Sequence, residues 1–202
     1  MSQVTGKVRG EYAKSSVRRQ QILEAALEVF SASGYHKGSL RDVAERAGLS
    51  QAGLLHHFPS KIELTAAVLA WRDDLSRSQF GTADLSGSAT IVDLVDLVEH
   101  NQSTPMLVEL YATLSAEAAT PGHPLFDYFA RRYAWVVDFT RAAFERAAEA
   151  GQLRPGVDPG SAARGLIALM DGLQIQWLYD RASVDMTTEV RVYLRSLLAV
   201  EL

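Results

Sequence analysis

The sequence predicts an all-α fold of about nine helices arranged in two domains. Apolar residues recur at helical spacing along most of the chain, no segment alternates as a strand does, and Gly, Pro, Ser or Thr mark the helix ends. With 202 residues, of which 48% are hydrophobic, the chain can bury a substantial core. We expect the domains at 1–62 and 63–202, with the boundary early in the fourth helix.

The first two predicted helices differ in length. The apolar pattern of the first runs from about 16 to 33, and Gly34 is placed to end it. The second is only about nine residues long, with Ser39 as its N-cap and Asp42 at the capping-box position. A helix this short is unstable alone, so it must pack against its neighbours.

A third helix is predicted at 51–57, directly after a Gly-Leu-Ser turn. Ser50 caps its start, and Pro59 disfavours helix at the residue before it. The segment Ser60–Glu63 has the pattern of a capping box for the fourth helix. The chain therefore predicts two short helices joined by a tight turn and followed by a longer helix.

The second domain is predicted to hold five further helices after a polar loop at 81–90. Their apolar patterns and caps give the approximate ranges 91–100, 105–118, 125–150, 160–180 and 188–200. The helix at 160–180 is apolar nearly all round, because 165–179 carries Asp171 as its one charge. Such a helix should be covered on more than one side.

Composition excludes several classes of protein. The chain has no cysteine, which rules out disulfide scaffolds, thiol catalysis and cysteine-based zinc sites. It has no apolar run long enough for a membrane span, and the first ten residues lack the apolar segment of a signal peptide. We expect a cytoplasmic protein without a membrane association.

The charge is unevenly distributed along the chain. Residues 1–61 hold nine Lys and Arg against five Asp and Glu, whereas residues 62–202 hold eleven against nineteen. All four lysines, Lys7, Lys14, Lys37 and Lys61, lie in the basic part. A polyanion such as nucleic acid would meet this part, because phosphates supply most non-specific affinity. Charge alone also fits a small domain with a few surplus cations.

Two short helices joined by a glycine-containing turn, within the basic part, predict a helix-turn-helix. The second helix of that motif enters the major groove. Gln51, His56 and His57 are predicted to face away from the core there, and Gly53 would allow close approach to the DNA backbone. Glutamine can pair with adenine, and neutral histidine can donate to or accept from a base or a phosphate.

The run SLRDVAERAGLSQAGLLHHFPSKIEL, residues 39–64, resembles the DNA-binding region of the TetR family of bacterial transcriptional regulators. The resemblance covers about residues 15–70. The run GQLRPGVDP from Gly151 and the DGL from Asp171 are similar to the BetI-like C-terminal class of that family. The sequence departs from the family at Leu55, where an aromatic residue with a phosphate contact is usual, and His56 is a possible substitute.

The resemblance implies a set of DNA-binding residues and their roles. Ser39 would cap the second helix and touch phosphate, Arg41 would reach a base or phosphate, and His57 and Lys61 would contact phosphate. The full predicted set is Ser39, Arg41, Ser50, Gln51, Gly53, His56, His57 and Lys61. His57 could instead pack in the core, and Arg41 could be merely solvated.

Two other assignments near this motif stay open or are disfavoured. His56 and His57 are unsuited to a shared metal, because neighbours on a helix point about 100° apart. We therefore predict no metal and no cofactor. Lys7, Arg9 and Lys14 could form a minor-groove arm or an ordinary N-terminal segment.

The acidic domain is expected to dimerise and to bind a small-molecule effector. The resemblance implies a homodimer through the helices near 160–180 and 188–200, which would place two recognition helices on a double-stranded operator. The candidate effector residues are aromatic or polar residues of the middle helices, as pockets require: Trp71, His100, Tyr111, Ser115, Tyr128, Trp135, Phe139, Asp171 and Gln174. Asp171 needs a partner, which could be an arginine, a cationic ligand or a helix cap across the dimer.

These features predict a ligand-responsive transcriptional regulator, most simply a repressor released from its palindromic operator by an effector. An all-helical enzyme is the first alternative, but no common catalytic motif is present. A helical scaffold is the second, and it would bind DNA without a steep salt dependence.

Overall fold

The computed structural model describes the backbone of residues 5–80 and 88–200 and the side chains of residues 16–74, 91 and 93–200. All its regular elements are helices, and one isolated bridge pairs Leu153 with Leu198. The all-α prediction is therefore confirmed. The helices are α1 (Thr5–Lys37), α2 (Leu40–Arg46), α3 (Gln51–His57), α4 (Lys61–Phe80), α5 (Ser88–Ser103), α6 (Pro105–Ala118), α7 (Phe126–Glu149), α8 (Pro159–Tyr179) and α9 (Met186–Leu197).

The chain forms two compact units, Met1–Arg72 and Asp73–Leu202. The dividing point falls inside α4, about three turns after its first residue. A DNA-binding domain that stops at residue 62 remains a prediction, since the first compact unit also includes the first half of α4.

In the first unit, α1 packs on α2, and α2 packs on α3. Ile22, Ala26 and Phe30 are buried at the spacing that the sequence predicts. The helix is longer than predicted at both ends, and Gly34 marks a kink rather than its end. Glycine is required there because φ is 73°, a value that side chains disfavour.

In the second unit, one apolar cluster joins α5, α6, α7, α8 and α9. Phe144 and Leu166 are fully buried in it, and α8 packs against α6, α7 and α9. This arrangement explains why α8 is apolar on several sides. Asp158 and Asp185 cap the N-termini of α8 and α9 by accepting backbone N–H groups.

Two helices of this unit have other bounds than the sequence predicted. The helix predicted at 91–100 extends from Ser88 to Ser103, so residues 88–90 of the predicted loop are helical. The remainder of that loop, 81–87, lies outside the described residues. The last helix starts at Met186, where Asp185 supplies the cap, and ends at Leu197. Among the described residues, no helix combines the length and apolarity that a bilayer crossing demands.

Candidate nucleic-acid interface and effector groove

The start of α2 is fixed by the predicted capping box. The Ser39 Oγ accepts the Asp42 N–H at 3.2 Å, and the Asp42 carboxylate accepts the Ser39 N–H at 3.2 Å. Val43 and Ala44 face the core, with at most 1% of their surface exposed. Arg41 is exposed on the opposite side of the helix, where it is available to an external anion.

The seven-residue helix α3 is held by one cap and one buried side chain. The Ser50 Oγ accepts the Gly53 N–H at 3.1 Å, and Leu54 is completely buried. A Cβ added at Gly53 would lie 3.3 Å from the Ser50 Oγ, so a larger residue would crowd the cap. Gln51 is exposed, which leaves its amide directed at solvent.

The two histidines at the end of α3 have different environments. His56 is exposed and His57 is half-buried, with their ring centroids 5.8 Å apart at an interplanar angle of 69°. Within the described part of the chain, no group of three or more His, Asp or Glu side chains is placed to hold a metal ion. Leu55, which replaces the aromatic residue usual in the family, is 37% exposed beside them.

Lys61, at the start of α4, is engaged within the unit. Its ammonium donates to the backbone carbonyls of Tyr35 and His36, the latter at 3.3 Å. It also lies 4.5 Å from the Tyr35 ring centroid and 5.6 Å from that of Phe30. Burial lowers the pKa of this ammonium. Lys61 thus links the first residues of α4 to the end of α1, and its phosphate contact remains a prediction.

Two arginines of α1 also stabilise this unit, which sequence patterns did not indicate. The Arg19 guanidinium lies 4.2 Å from the Phe58 ring centroid, and Arg18 donates to the Ala47 carbonyl at 3.5 Å. Both arginines connect α1 to the segments that flank α3. The side chains of the proposed N-terminal arm, Lys7, Arg9 and Lys14, lie outside the described residues.

The second unit contains a polar network centred on Arg132 of α7. Its Nε donates to both carboxylate oxygens of Asp73, at 3.1 and 3.0 Å, and one terminal nitrogen donates to the Tyr111 hydroxyl at 2.7 Å. The Tyr128 hydroxyl donates to Asp73 at 2.7 Å. The Arg132 and Asp73 side chains are only 18% and 13% exposed. Burying charges costs free energy, which these hydrogen bonds offset.

Asp171 lies at the end of the same network. The Tyr133 hydroxyl donates to its carboxylate at 2.8 Å, and Tyr133 is hydrogen-bonded to Tyr111 in turn. Burial raises the pKa of Asp171, whereas the Tyr133 hydrogen bond and the Arg132 charge act in the opposite direction. The direct partner of Asp171 in this chain is therefore a tyrosine, which none of the three alternatives considered from the sequence had named.

A groove of about 410 Å³ runs between α7 and α8 beside Asp171. Its wall is apolar along most of its length, and charged groups stand at separate points. The lining residues are Tyr133, Ala134, Val137, Asp138, Arg164, Ile167, Ala168 and Asp171. Its volume is within the range of small-molecule sites.

Comparison with known proteins agrees with both halves of this architecture. The family description "Bacterial regulatory proteins, tetR family" matches residues 22–68, and "BetI-type transcriptional repressor, C-terminal" matches residues 94–199. The second match alone spans more than half of the chain. The chain belongs to the TetR family of bacterial transcriptional regulators. The BetI-type class predicted from residues near 151 and 171 is likewise confirmed.

Individual relatives match this TetR-family protein over different lengths. The regulator TtgR of Pseudomonas putida is 28% identical over 198 residues, covering 91% of this chain and 90% of TtgR. SrpR, also of Pseudomonas putida, is 38% identical over 95 residues. This match covers 45% of this chain and 44% of SrpR, which is less than half of that relative. A solved structure with the same fold is that of NalD, the secondary repressor of the MexAB-OprM multidrug efflux pump in Pseudomonas aeruginosa. Its sequence is 26% identical to this chain, and the structures superpose with a TM-score of 0.61 over 92% of this chain and 98% of NalD.

Membership of the TetR family makes this protein a transcriptional regulator and not an enzyme, as the sequence predicted. The predicted effector residues are less concentrated than expected. Tyr111, Tyr128 and Asp171 belong to the Arg132 network, whereas Trp71 lies in the other compact unit. Trp135 and Phe139 stack on each other along α7, with centroids 5.5 Å apart.

The remaining candidates of this TetR-family regulator lie apart from the groove. His100 is exposed, Ser115 donates to the Ala112 carbonyl within α6, and Gln174 lines a small void between α5, α8 and α9. Sequence reasoning missed Arg132 and Asp73, because each reads as an ordinary charge on a helix. The available signal was Asp171, whose position in an apolar helix required a polar partner.

Proposed function

We propose that this TetR-family regulator is a repressor that binds a palindromic operator as a homodimer and is released by a small-molecule effector. The observation that carries the proposal is α3, where a single buried leucine and a capped start leave Gln51 and His56 facing solvent. A helix anchored in this way can insert its polar face in the major groove. The cytoplasm, where such an operator lies, is the proposed location.

On DNA, Gln51 would read a base edge, and the missing side chain at Gly53 would let α3 lie close to the DNA backbone. Arg41 on α2 is exposed and would bind phosphate or a base, and His57 would donate to phosphate. The surplus of cations in residues 1–61 would draw this unit toward the duplex. Ser39 and Ser50 would act mainly through the caps that orient α2 and α3.

The proposed dimer face is formed by α8 and α9. Ile175, Tyr179 and Val192 are 50%, 90% and 54% exposed, so α8 and α9 present large apolar side chains to solvent as well as to the core. On α8, a Cβ added at Gly172 would meet no atom within 4 Å, so a second helix could approach closely. A two-fold contact of α8 and α9 with their copies would bury this surface.

The effector would act by shifting the population of two conformations. Asp73 lies on α4, the helix whose first residue is Lys61, and it is bound by Arg132 and Tyr128 of α7. A ligand in the groove beside Tyr133 would favour an arrangement of this network with a lower operator affinity. It must bind that arrangement more tightly to do so.

The proposal is tested by selecting genomic fragments with the purified protein and placing an enriched fragment before a reporter gene. We expect lower reporter expression when the protein is produced, and steep loss of binding with salt. Increased expression would contradict the repressor role. Failure to enrich any fragment would contradict operator binding itself.

A further inference from the structure

The carboxylate of Asp171 faces a groove and has unused capacity to accept hydrogen bonds. An ionised carboxylate has about four acceptor positions, and the one direct donor among the described residues is the Tyr133 hydroxyl at 2.8 Å. The nearby Arg132 guanidinium is committed to Asp73 and Tyr111. Within the described part of the chain, Asp171 is therefore a half-buried negative charge without a directly bonded cation.

The two other charged residues at the groove, Arg164 and Asp138, do not neutralise the Asp171 carboxylate. Arg164 lies seven residues before Asp171 on α8, about 10 Å away along the axis, and no ion pair joins the two side chains within the described part of the chain. Asp138 is exposed and has its own cation, Arg141, at 3.5 Å. The groove thus presents two carboxylates, of which Asp171 has no directly bonded cation, beside apolar walls from Val137 and Ile167.

We infer that the groove between α7 and α8 binds an amphipathic amine, whose protonated nitrogen donates to the Asp171 carboxylate while its apolar body covers Val137 and Ile167. This inference rests on the proposed function, since it names the chemical class of the effector. A protonated amine supplies both the positive charge and the N–H donors that the carboxylate lacks. The Tyr133 ring beside it offers an additional cation–π surface.

The test compares arylmethylamines with alcohols of the same shape, in three sizes: benzyl, naphthylmethyl and biphenylmethyl. Binding to the purified full-length protein is measured by calorimetry at neutral pH without DNA. We expect at least one amine to bind about tenfold more tightly than its alcohol, because a charge-assisted hydrogen bond distinguishes them. Equal binding of every pair, or no amine binding at millimolar concentration, would overturn the inference.

The variant Asp171→Asn keeps the shape of the side chain and removes its charge. We expect it to weaken the amine about tenfold and to leave the alcohol unchanged. Asp127→Asn is the control, because it removes an exposed carboxylate of the same helix, α7, that does not line the groove, and it should change amine affinity less than twofold. If Asp171→Asn fails to fold, the amine-to-alcohol ratio of the natural protein still decides the question.

A third probe separates charge from hydrogen bonding. The trimethylated naphthylmethyl ammonium ion keeps the charge but has no N–H, so we expect it to bind several-fold more weakly than the primary amine. Equal or tighter binding would overturn the hydrogen-bonded pairing with Asp171.

The other possible occupant is Arg164 of a second copy. Sedimentation of Asp171→Asn tests this, because an intersubunit ion pair would make the variant dissociate more readily, which would overturn the amine assignment. Unchanged sedimentation is expected. The calorimetric assays contain no DNA, so a lack of amine binding would overturn this inference without bearing on operator binding. A genomic selection that enriches no fragment would contradict the proposed function without bearing on amine binding.

Discussion

The two compact units of this protein use charged side chains in opposite ways. In Met1–Arg72, Arg41 and the polar face of α3 are exposed, and local caps position the helices. In Asp73–Leu202, the Arg132 and Asp73 charges are withdrawn from solvent and bonded to tyrosines. Exposed charge suits a surface that meets a polyanion, whereas a satisfied buried network holds the helices that carry it in one arrangement. Lys61 is instructive, because it lies in the first unit but is bonded as an interior group.

Disrupting the proposed dimer face should have the largest effect. Gly172→Arg places a long charged side chain where a second copy of α8 would approach. We expect a monomer in sedimentation and an operator affinity at least about a hundredfold lower, because both half-sites are no longer bound together. Ala116→Arg, at an exposed position of α6, is the control and should stay dimeric. A Gly172→Arg protein that remains a dimer with full affinity would refute this face.

Removing the exposed amide of α3 should have the next largest effect. Gln51→Ala is expected to lower affinity for the operator by about tenfold to a hundredfold and to relax the preference at one base pair, since a bidentate base contact contributes about 1–3 kcal/mol. Fluorescence anisotropy with a set of single-base operator variants measures both. Gln21→Ala, exposed on α1, is the control. An equal loss on every sequence would argue against base reading by Gln51.

Arg41 and Lys61 should separate in salt dependence. Arg41→Ala is expected to reduce the magnitude of the slope of log affinity against log salt by about one, because one contact between an exposed cation and a DNA phosphate is lost. Lys61→Ala should reduce the slope by less than Arg41→Ala does and lower the free energy of unfolding by about 1–3 kcal/mol, because its ammonium bonds carbonyls of α1.

The matched control for this pair is Lys37→Ala, which removes an exposed lysine near the same carbonyls. It should leave stability within about 0.5 kcal/mol. If Lys61→Ala reduces the slope by about one without loss of stability, its ammonium binds phosphate as the family resemblance implies.

The smallest expected effect concerns the cap of α9. Asp185 accepts the N–H groups of Thr187 and Thr188 at 3.1 and 3.2 Å, and the side-chain and backbone bonds from Thr188 are the main causes of its lowered pKa. Asp185→Ala should cost about 1 kcal/mol in denaturant unfolding.

The pH dependence of this cap has a defined sign. The pKa of Asp185 in the folded state lies below its unfolded value of about 3.9. The ionised carboxylate therefore contributes to the free energy of unfolding at neutral pH, and this contribution is lost as the pH falls through the folded-state pKa. The stability difference between the natural protein and Asp185→Asn should therefore narrow in acid. A difference that widens in acid would contradict the assignment.

The sequence predicted the first unit better than the second because its determinants are local. The Ser39 and Ser50 caps involve residues three apart, and the buried Leu54 follows from helical spacing. The bond from Arg132 to Asp73 joins residues 59 positions apart, and it depends on how α4 and α7 pack. Asp171 could be identified as a buried charge that needs a partner, but Tyr133 could not be chosen before the helices were placed.

If two rigidly paired α3 helices read one palindrome, operator affinity must depend on the distance between its half-sites. Inserting about five base pairs between the half-sites turns them to opposite faces of the duplex. We expect affinity to fall to that of DNA with a single half-site. Unchanged affinity after this insertion would show that the two α3 helices do not read the half-sites as a rigid pair.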